Sequence, residues 1–232
     1  MAGIFYGVGV GPGDPDLLTV KAVKVIEQAD IIIVPKSGST QDSTAFNIAK
    51  PHIKPNVELL PMVFPMVGKQ HDWTGAWLEN REIIGKELDK DKKVVFLTLG
   101  DPMFYSTYIY VFRLLKEANY EIHTVPGITA FCGIASHVGF PLVEGDDVLS
   151  VLPATTDDEI IEQTMKYSNN LVIMKVSRNT DSLVAKLKEN GFAENAVLVS
   201  RCGLPDEEII DNLDEIKDAK VNYLSTILAR RN

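Results

Sequence analysis

Short apolar runs, each stopped by a glycine or proline turn, set the strongest limit on how this chain can fold. Ile31–Val34 is a continuous β-branched run ended by Pro35, and Val94–Leu99 passes unbroken into Gly100-Asp101-Pro102. Runs without polar alternation read as strands buried on both faces. Ile4–Val10 leads in the same way into Gly11-Pro12-Gly13-Asp14-Pro15, and Glu121–Val125 into Pro126-Gly127. Between these runs the period is helical. Leu18, Ala22, Val25, Ile26 and Ala29 share one face, with Lys21, Lys24 and Glu27 opposite. Trp73–Leu88, Tyr105–Glu117 and Thr129–His137 read as further helices, and Val57–Leu60, ended by Pro61, as a further strand. Strand–helix alternation predicts a doubly wound, mostly parallel α/β sheet over residues 1–140.

Gly139-Phe140-Pro141 breaks the rhythm. Over residues 141–232 strands are expected at Val148–Leu152, Leu171–Val176, Ala196–Ser200, Glu208–Asp211 and Tyr223–Ala229. One helix starts at the capping box Thr156-Asp157-Asp158-Glu159, and another covers Leu183–Glu189, with Gly191 at its C′ position. Strands without intervening helices near the end predict a second α/β domain, built on a mixed sheet with antiparallel edges. There is no internal repeat.

Composition removes several classes of function. With 232 residues and 45% hydrophobic content, the chain can pack a core, and no apolar run approaches the ~20 residues that span a bilayer. The opening MAGIFYG has neither a basic segment nor a cleavage site, so a cytoplasmic protein without a secretory leader is expected. Twenty-three basic against 32 acidic residues give a net charge of −9, which argues against nucleic acid or an anionic membrane as partner. A small anion held by a local cluster of lysines and arginines stays compatible with that balance. Two cysteines, Cys132 and Cys202, rule out a disulfide framework and every CxxC motif, and both read as reduced, half-buried packing residues. Four histidines without metal-ligand spacing lead us to expect no metal site.

The strand-end turns carry the chemistry. Gly7-Val8-Gly9-Val10-Gly11-Pro12-Gly13 invites comparison with a dinucleotide fingerprint and fails it. Counting from Gly7 puts Pro12 at the third glycine, and counting from Gly9 puts Asp14 there; the prolines also remove donors that a pyrophosphate needs. A rigid strand–helix turn and a loop for another ligand both fit. In Gly100-Asp101-Pro102 the carboxylate can accept from an ammonium or hydroxyl, or simply cap the following helix. With Pro126-Gly127-Ile128-Thr129, three such turns lie on the carboxyl edge of one parallel sheet, and together they make a backbone-rich pocket rim.

Gly9-Val10-Gly11-Pro12-Gly13-Asp14-Pro15 with Leu17-Leu18-Thr19, then Gly100-Asp101-Pro102, then Val125-Pro126-Gly127-Ile128-Thr129-Ala130 resemble the three signature segments of the tetrapyrrole methylases, S-adenosylmethionine-dependent enzymes of cobalamin and sirohaem synthesis. The likeness covers essentially the whole chain. Val34-Pro35-Lys36-Ser37-Gly38, Phe64-Pro65-Met66, Phe96–Tyr110, Met174-Lys175-Val176 and Tyr223–Leu228 resemble the branch that methylates the C20 meso carbon of precorrin-2 or cobalt-factor II. The resemblance implies a homodimer that binds S-adenosylmethionine in the cleft between two α/β domains.

It further implies that Leu99, Gly100, Asp101, Phe104 and Ser106 hold the cofactor, with Pro12 at the methyl-transfer point and Thr129 and Ala130 beneath. Met174, Cys202 and Thr226 would approach from the second domain, although strand core is the plainer reading of Met174. For the carboxylate-rich tetrapyrrole, Lys36, Lys175, Arg178 and Arg201 are the cations closest to predicted strand ends. Loss of the C20 proton needs a base, for which a water, Asp101, Tyr105 and the neutral form of Lys175 are candidates. The same fold also suits methylases acting on other ring carbons and diphthine synthase, and a non-enzymatic tetrapyrrole carrier is the remaining class.

Overall fold

Successive residues in the inner strands of the first sheet point into opposite cores, and this alternation explains why those strands are largely apolar. The computed structural model describes residues 3–36, 43–64, 75–177, 180–216 and 221–231. Strands β1 (Ile4–Gly9), β2 (Ile31–Lys36), β3 (Glu58–Val63), β4 (Lys93–Thr98) and β5 (Glu121–Val125) form one sheet in the order β3-β2-β4-β1-β5. Every pair in it is parallel. Phe5, Ile31, Ile33, Val94 and Phe96 pack on one face with Trp77, Ile84 and Leu88 of α3 (Gly75–Leu88) and Val111, Leu114 and Leu115 of α4 (Tyr108–Glu117). Val8, Ile32, Val34, Val95 and Leu97 pack on the other with Ala22 and Ile26 of α1 (Val20–Glu27) and Ala45 and Ile48 of α2 (Thr44–Ala49).

Both prolines that were expected to end strands lie inside them. Pro61 sits in β3, an edge strand with no neighbour on one side, where a missing N–H costs nothing. Pro35 lies beyond Ile33, the last residue of β2 that pairs with β4, so the lost donor again has no partner to miss. Helix α2 has no counterpart in the sequence reading; six residues capped by the Ser43 hydroxyl, which accepts from Phe46 N–H, are too few to show a period. Trp73, the expected start of α3, lies outside the described residues, and Leu78 of that helix is exposed although it repeats at helical spacing with Trp77, Ile84 and Leu88.

The chain divides into compact units Met1–Thr129 and Ala130–Asn232. The sequence reading put the boundary after residue 140, beyond α5 (Ala130–Val138). Ile134 and Ala135 of that helix pack with Val172, Val197, Val199 and Leu228, so α5 groups with the second sheet. That sheet comprises β6 (Leu149–Pro153), β7 (Asn170–Met174), β8 (Ala196–Ser200), β9 (Glu208–Ile210) and β10 (Ser225–Arg230), ordered β6-β7-β10-β8-β9. It is mixed: the β9 edge is antiparallel as expected, the β6 edge is parallel, and the last strand, β10, inserts antiparallel between β7 and β8. Its second face packs on Ile161 and Met165 of α6 (Asp158–Tyr167) and Leu183, Val184 and Leu187 of α7 (Thr180–Glu189).

The capping box at Thr156 does not form: the N-cap is Asp157, and no side chain caps the helix. The stop at Gly191 does form. Gly191 has φ 78°, its N–H donates to Lys188 O at 3.2 Å, and Phe192 N–H donates to Leu187 O at 2.9 Å. This is a Schellman ending, with Phe192 fully buried against the helix it terminates. We expect Phe192→Ala to lower stability by about 3–5 kcal/mol in denaturant unfolding, since it removes the largest side chain of this cap and leaves a cavity.

Candidate active site

The three glycine turns do converge. β4, β1 and β5 are adjacent and parallel, so the turns after them share one carboxyl edge. The chain leaves β1 towards β2 on one side and leaves β4 towards β5 on the other, which makes the β1–β4 crevice the topological switch point, where open α/β sheets bind ligands. Pairing continues past the strands there. Val10 N–H donates to Thr98 O at 2.9 Å, and Gly11 and Gly100 exchange bonds of 2.8 and 3.3 Å. A Cβ on Gly127 would stand 2.2 Å from Gly100 O, and one on Gly9 2.6 Å from Gly127 N. The turns therefore meet backbone to backbone, and no side chain fits between them.

Asp101 ties this arrangement together. Its Oδ1 accepts from Met103 N–H at 2.8 Å, and its Oδ2 accepts from Gly127 N–H at 3.1 Å, across 26 positions of sequence. It is not a helix cap, because α4 starts only at Tyr108. Tyr105, expected to open that helix, has φ 46°, and Ser106 Oγ accepts from Tyr108 N–H at 3.0 Å. The rings of Phe104 and Tyr105 meet edge to face at 4.7 Å. Pro12 is buried on the same edge, while Leu99, Phe104, Ser106 and Thr129 are half-buried. Thr98, at the end of β4, was not among the expected site residues. Its hydroxyl is buried and has no hydrogen-bond partner among the described residues. An isolated threonine in an apolar run carries no sequence signal that would have singled it out.

In the second unit, Thr226 pairs in register with Met174 on one side and Val199 on the other. Cys202 packs with Val199, Val172 and Leu228, and Met174 lies against the same cluster, on the face that carries α5. Cys202 is buried, and desolvation, aided by the charge of Glu207, pushes its thiol up to about 12. Cys132, by contrast, is exposed, because it falls on the outer face of α5.

Lys175 and Arg201 follow β7 and β8 directly, on either side of the start of β10. Val176 N–H donates to Ser225 O at 3.2 Å, and Arg201 N–H to Leu224 O at 2.9 Å. Both cations have left-handed backbones, φ 60° and 53°. Five non-glycine residues among those described have positive φ. Asp91 and Asn119 are of types that tolerate it; Tyr105, Lys175 and Arg201 are not, and all three are expected site residues. Arg201 Nε lies 2.5 Å from Asp206 Oδ1, an ion pair that holds the Asp206 carboxyl below its usual value. Lys36 ends β2, its side chain outside what is described, and Arg178 lies outside the described residues altogether. Among the described residues no helix is long and apolar enough to cross a membrane.

A parallel sheet with a backbone-lined switch point, followed by a mixed sheet, defines a two-domain α/β protein with a ligand-binding edge. Residues 5–217 match the tetrapyrrole (corrin/porphyrin) methylases, and the chain belongs to that family. It is 35% identical to precorrin-2 C(20)-methyltransferase of Sinorhizobium sp, over 97% of this chain and 94% of that one. It is 32% identical to cobalt-precorrin-2 C(20)-methyltransferase of Salmonella typhimurium, over 100% and 98%. Among solved structures, a cobalt precorrin-4 methyltransferase superposes with a TM-score of 0.75 at 24% identity, covering 98% of this chain and 94% of its own. A uroporphyrin-III C-methyltransferase from Thermus thermophilus, complexed with S-adenosylhomocysteine, gives 0.68 at 22% identity, with 97% of each chain covered.

Loss of both Asp101 bonds leaves two backbone donors without their carboxylate. Asp101→Ala is expected to cost about 1–3 kcal/mol in thermal or denaturant unfolding, and Asp101→Asn, which keeps an acceptor oxygen, to cost less. Equal stability of both variants and the parent would contradict the role given to the carboxylate.

Proposed function

We propose that the chain transfers a methyl group from S-adenosylmethionine to the C20 meso carbon of precorrin-2 or cobalt-factor II in cobalamin biosynthesis. We further propose that it works in the cytoplasm as a homodimer. The observation that carries the substrate assignment is similarity to C(20)-methyltransferases at 32% to 37% identity over 97% to 100% of this chain.

The residues present suit the cofactor. The switch-point rim offers apolar Pro12, Leu99 and Phe104 beside closely packed backbone, and Thr98 Oγ1 is a buried hydroxyl still open to a partner. Bound there, S-adenosylmethionine supplies an electrophilic sulfonium methyl. The protein's contribution is then positioning and exclusion of water. The Gly9, Gly100 and Gly127 backbones fix the rim, and Pro12 borders it. On the second sheet, Met174, Cys202 and Thr226 present a small apolar surface of sulfur and methyl groups, suited to an adenine or a thioether. Lys175 and Arg201, one on each side of β10, are suited to carboxylates of the macrocycle, with Lys36 and Arg178 completing the set. Arginine favours the bidentate contacts.

Asp101 commits both carboxylate oxygens to backbone N–H groups, which fits positioning better than proton abstraction. Tyr105 and Lys175, held in left-handed conformations, are the candidates to receive the C20 proton. Incubation of the purified chain with precorrin-2 and, separately, with cobalt-factor II, using methyl-labelled cofactor, should give a product heavier by one methyl group, located at C20 by NMR. A label on another ring carbon would move the chain to a different branch of the family, and label on translation elongation factor would make it a diphthine synthase.

A further inference from the structure

Among the buried nucleophiles, the thiol of Cys202 has no part in the chemistry above, yet it sits in a built environment. The turn after β8 folds back so that Glu207 faces it. Glu207 Oε2 accepts from Gly203 N–H at 2.6 Å, Glu207 Oε1 meets His137 Nε2 of α5 at 2.9 Å, and the Cys202 sulfur lies within 4.8 Å of both the carboxylate and the imidazole. Burial alone would raise the Glu207 carboxyl, but these three contacts hold it below its ordinary value, so it is ionised at neutral pH. The other surroundings of the thiol are apolar, namely Ile134, Val172, Val199 and Leu228. Arg201, next in the chain, is paired with Asp206. Glu207 and, through it, His137 are therefore the titratable groups that act on Cys202 among the described residues.

We propose that Glu207 is a positioning residue that clamps the turn Arg201–Glu207 to helix α5 and keeps Cys202 a neutral, non-nucleophilic thiol. This rests on the reading that Cys202 borders the cofactor. A thiolate beside a sulfonium methyl would itself be methylated: a new S–CH3 bond would form as the sulfonium S–CH3 bond broke, and the enzyme would consume its own co-substrate. A negative carboxylate within 4.8 Å of the sulfur opposes the ionisation that this side reaction needs, in the same sense as the apolar burial. The clamp also fixes the chain immediately after Arg201, whose strained φ of 53° needs support from its surroundings.

The test uses the full chain carrying Cys132→Ser, which leaves Cys202 as the single thiol of the two in the sequence. Alkylation by iodoacetamide is followed by intact mass across pH. With Glu207 present the rate should stay low at neutral pH and rise about tenfold per pH unit without a plateau below pH 10. In Glu207→Gln the same curve should move to lower pH, several-fold faster at pH 8, because the amide keeps the shape and loses the charge. Melting temperatures and the alkylation rate of the urea-denatured chain, measured alongside, distinguish this shift from unfolding. Superimposable curves for parent and Glu207→Gln would overturn the proposal, as would protection of Cys202 by zinc chloride alone, which would make the Cys202–Glu207–His137 cluster a cation site.

Steady-state kinetics separate the two halves of the idea. Glu207→Ala should raise KM for S-adenosylmethionine with little change in kcat, and Glu207→Gln should restore most of it. An unmoved KM together with a shifted alkylation curve would overturn the placement of Cys202 beside the cofactor while upholding the clamp.

Discussion

Everything at the first carboxyl edge depends on backbone meeting backbone across the β1–β4 switch point. Hydrogen bonds exchanged by Gly11 and Gly100 extend the sheet by one unit beyond its strands, and Gly127 closes against Gly100 from the third turn. Such contact is attainable only where side chains are missing, and it needs an anchor, because glycines are costly to order. The Asp101 carboxylate is that anchor: one oxygen holds its own turn and the other holds the turn after β5. The glycines, the aspartate and the strand order are therefore one requirement seen at three levels.

The second sheet meets a different need. Its last strand, β10, enters the middle of the sheet and brings Thr226 between Met174 and Val199. Because β7 and β8 both end where β10 begins, Lys175 and Arg201 are delivered to either side of one strand start by the sheet's own pairing. The carboxyl edge of the first unit is thus built mainly from backbone and apolar side chains, whereas the second unit carries two cations at the start of β10 and a sulfur-containing face.

Most of the architecture is legible in the sequence because doubly covered strands are apolar at every position and cannot be mistaken for amphipathic helices. Pro35 and Pro61 misled the strand ends because sequence does not say which side of a strand lacks a neighbour. Helix α2 stayed hidden because six residues carry too little period, and Cys132 was misjudged because an apolar helix has an outer face. The Gly11–Gly100 convergence was legible from three turns on one parallel edge. Asp101 was legible as an acceptor, but not as a link to Gly127, since that bond spans 26 positions and exists only once the strand order is known. The Cys202–Glu207–His137 cluster has no sequence signature, as His137 joins it from 70 positions away from Glu207.

The left-handed backbones at Tyr105, Lys175 and Arg201 bear on any effort to make this protein more robust. Non-glycine residues held there raise the folded state's energy by an amount on the order of 1 kcal/mol each. Selection for heat tolerance alone would find glycine or asparagine at these positions attractive. It would then gain melting temperature by removing, in turn, an aromatic of the turn after β4 and the two cations beside β10, so robustness would be drawn from the very side chains that the proposed function calls on.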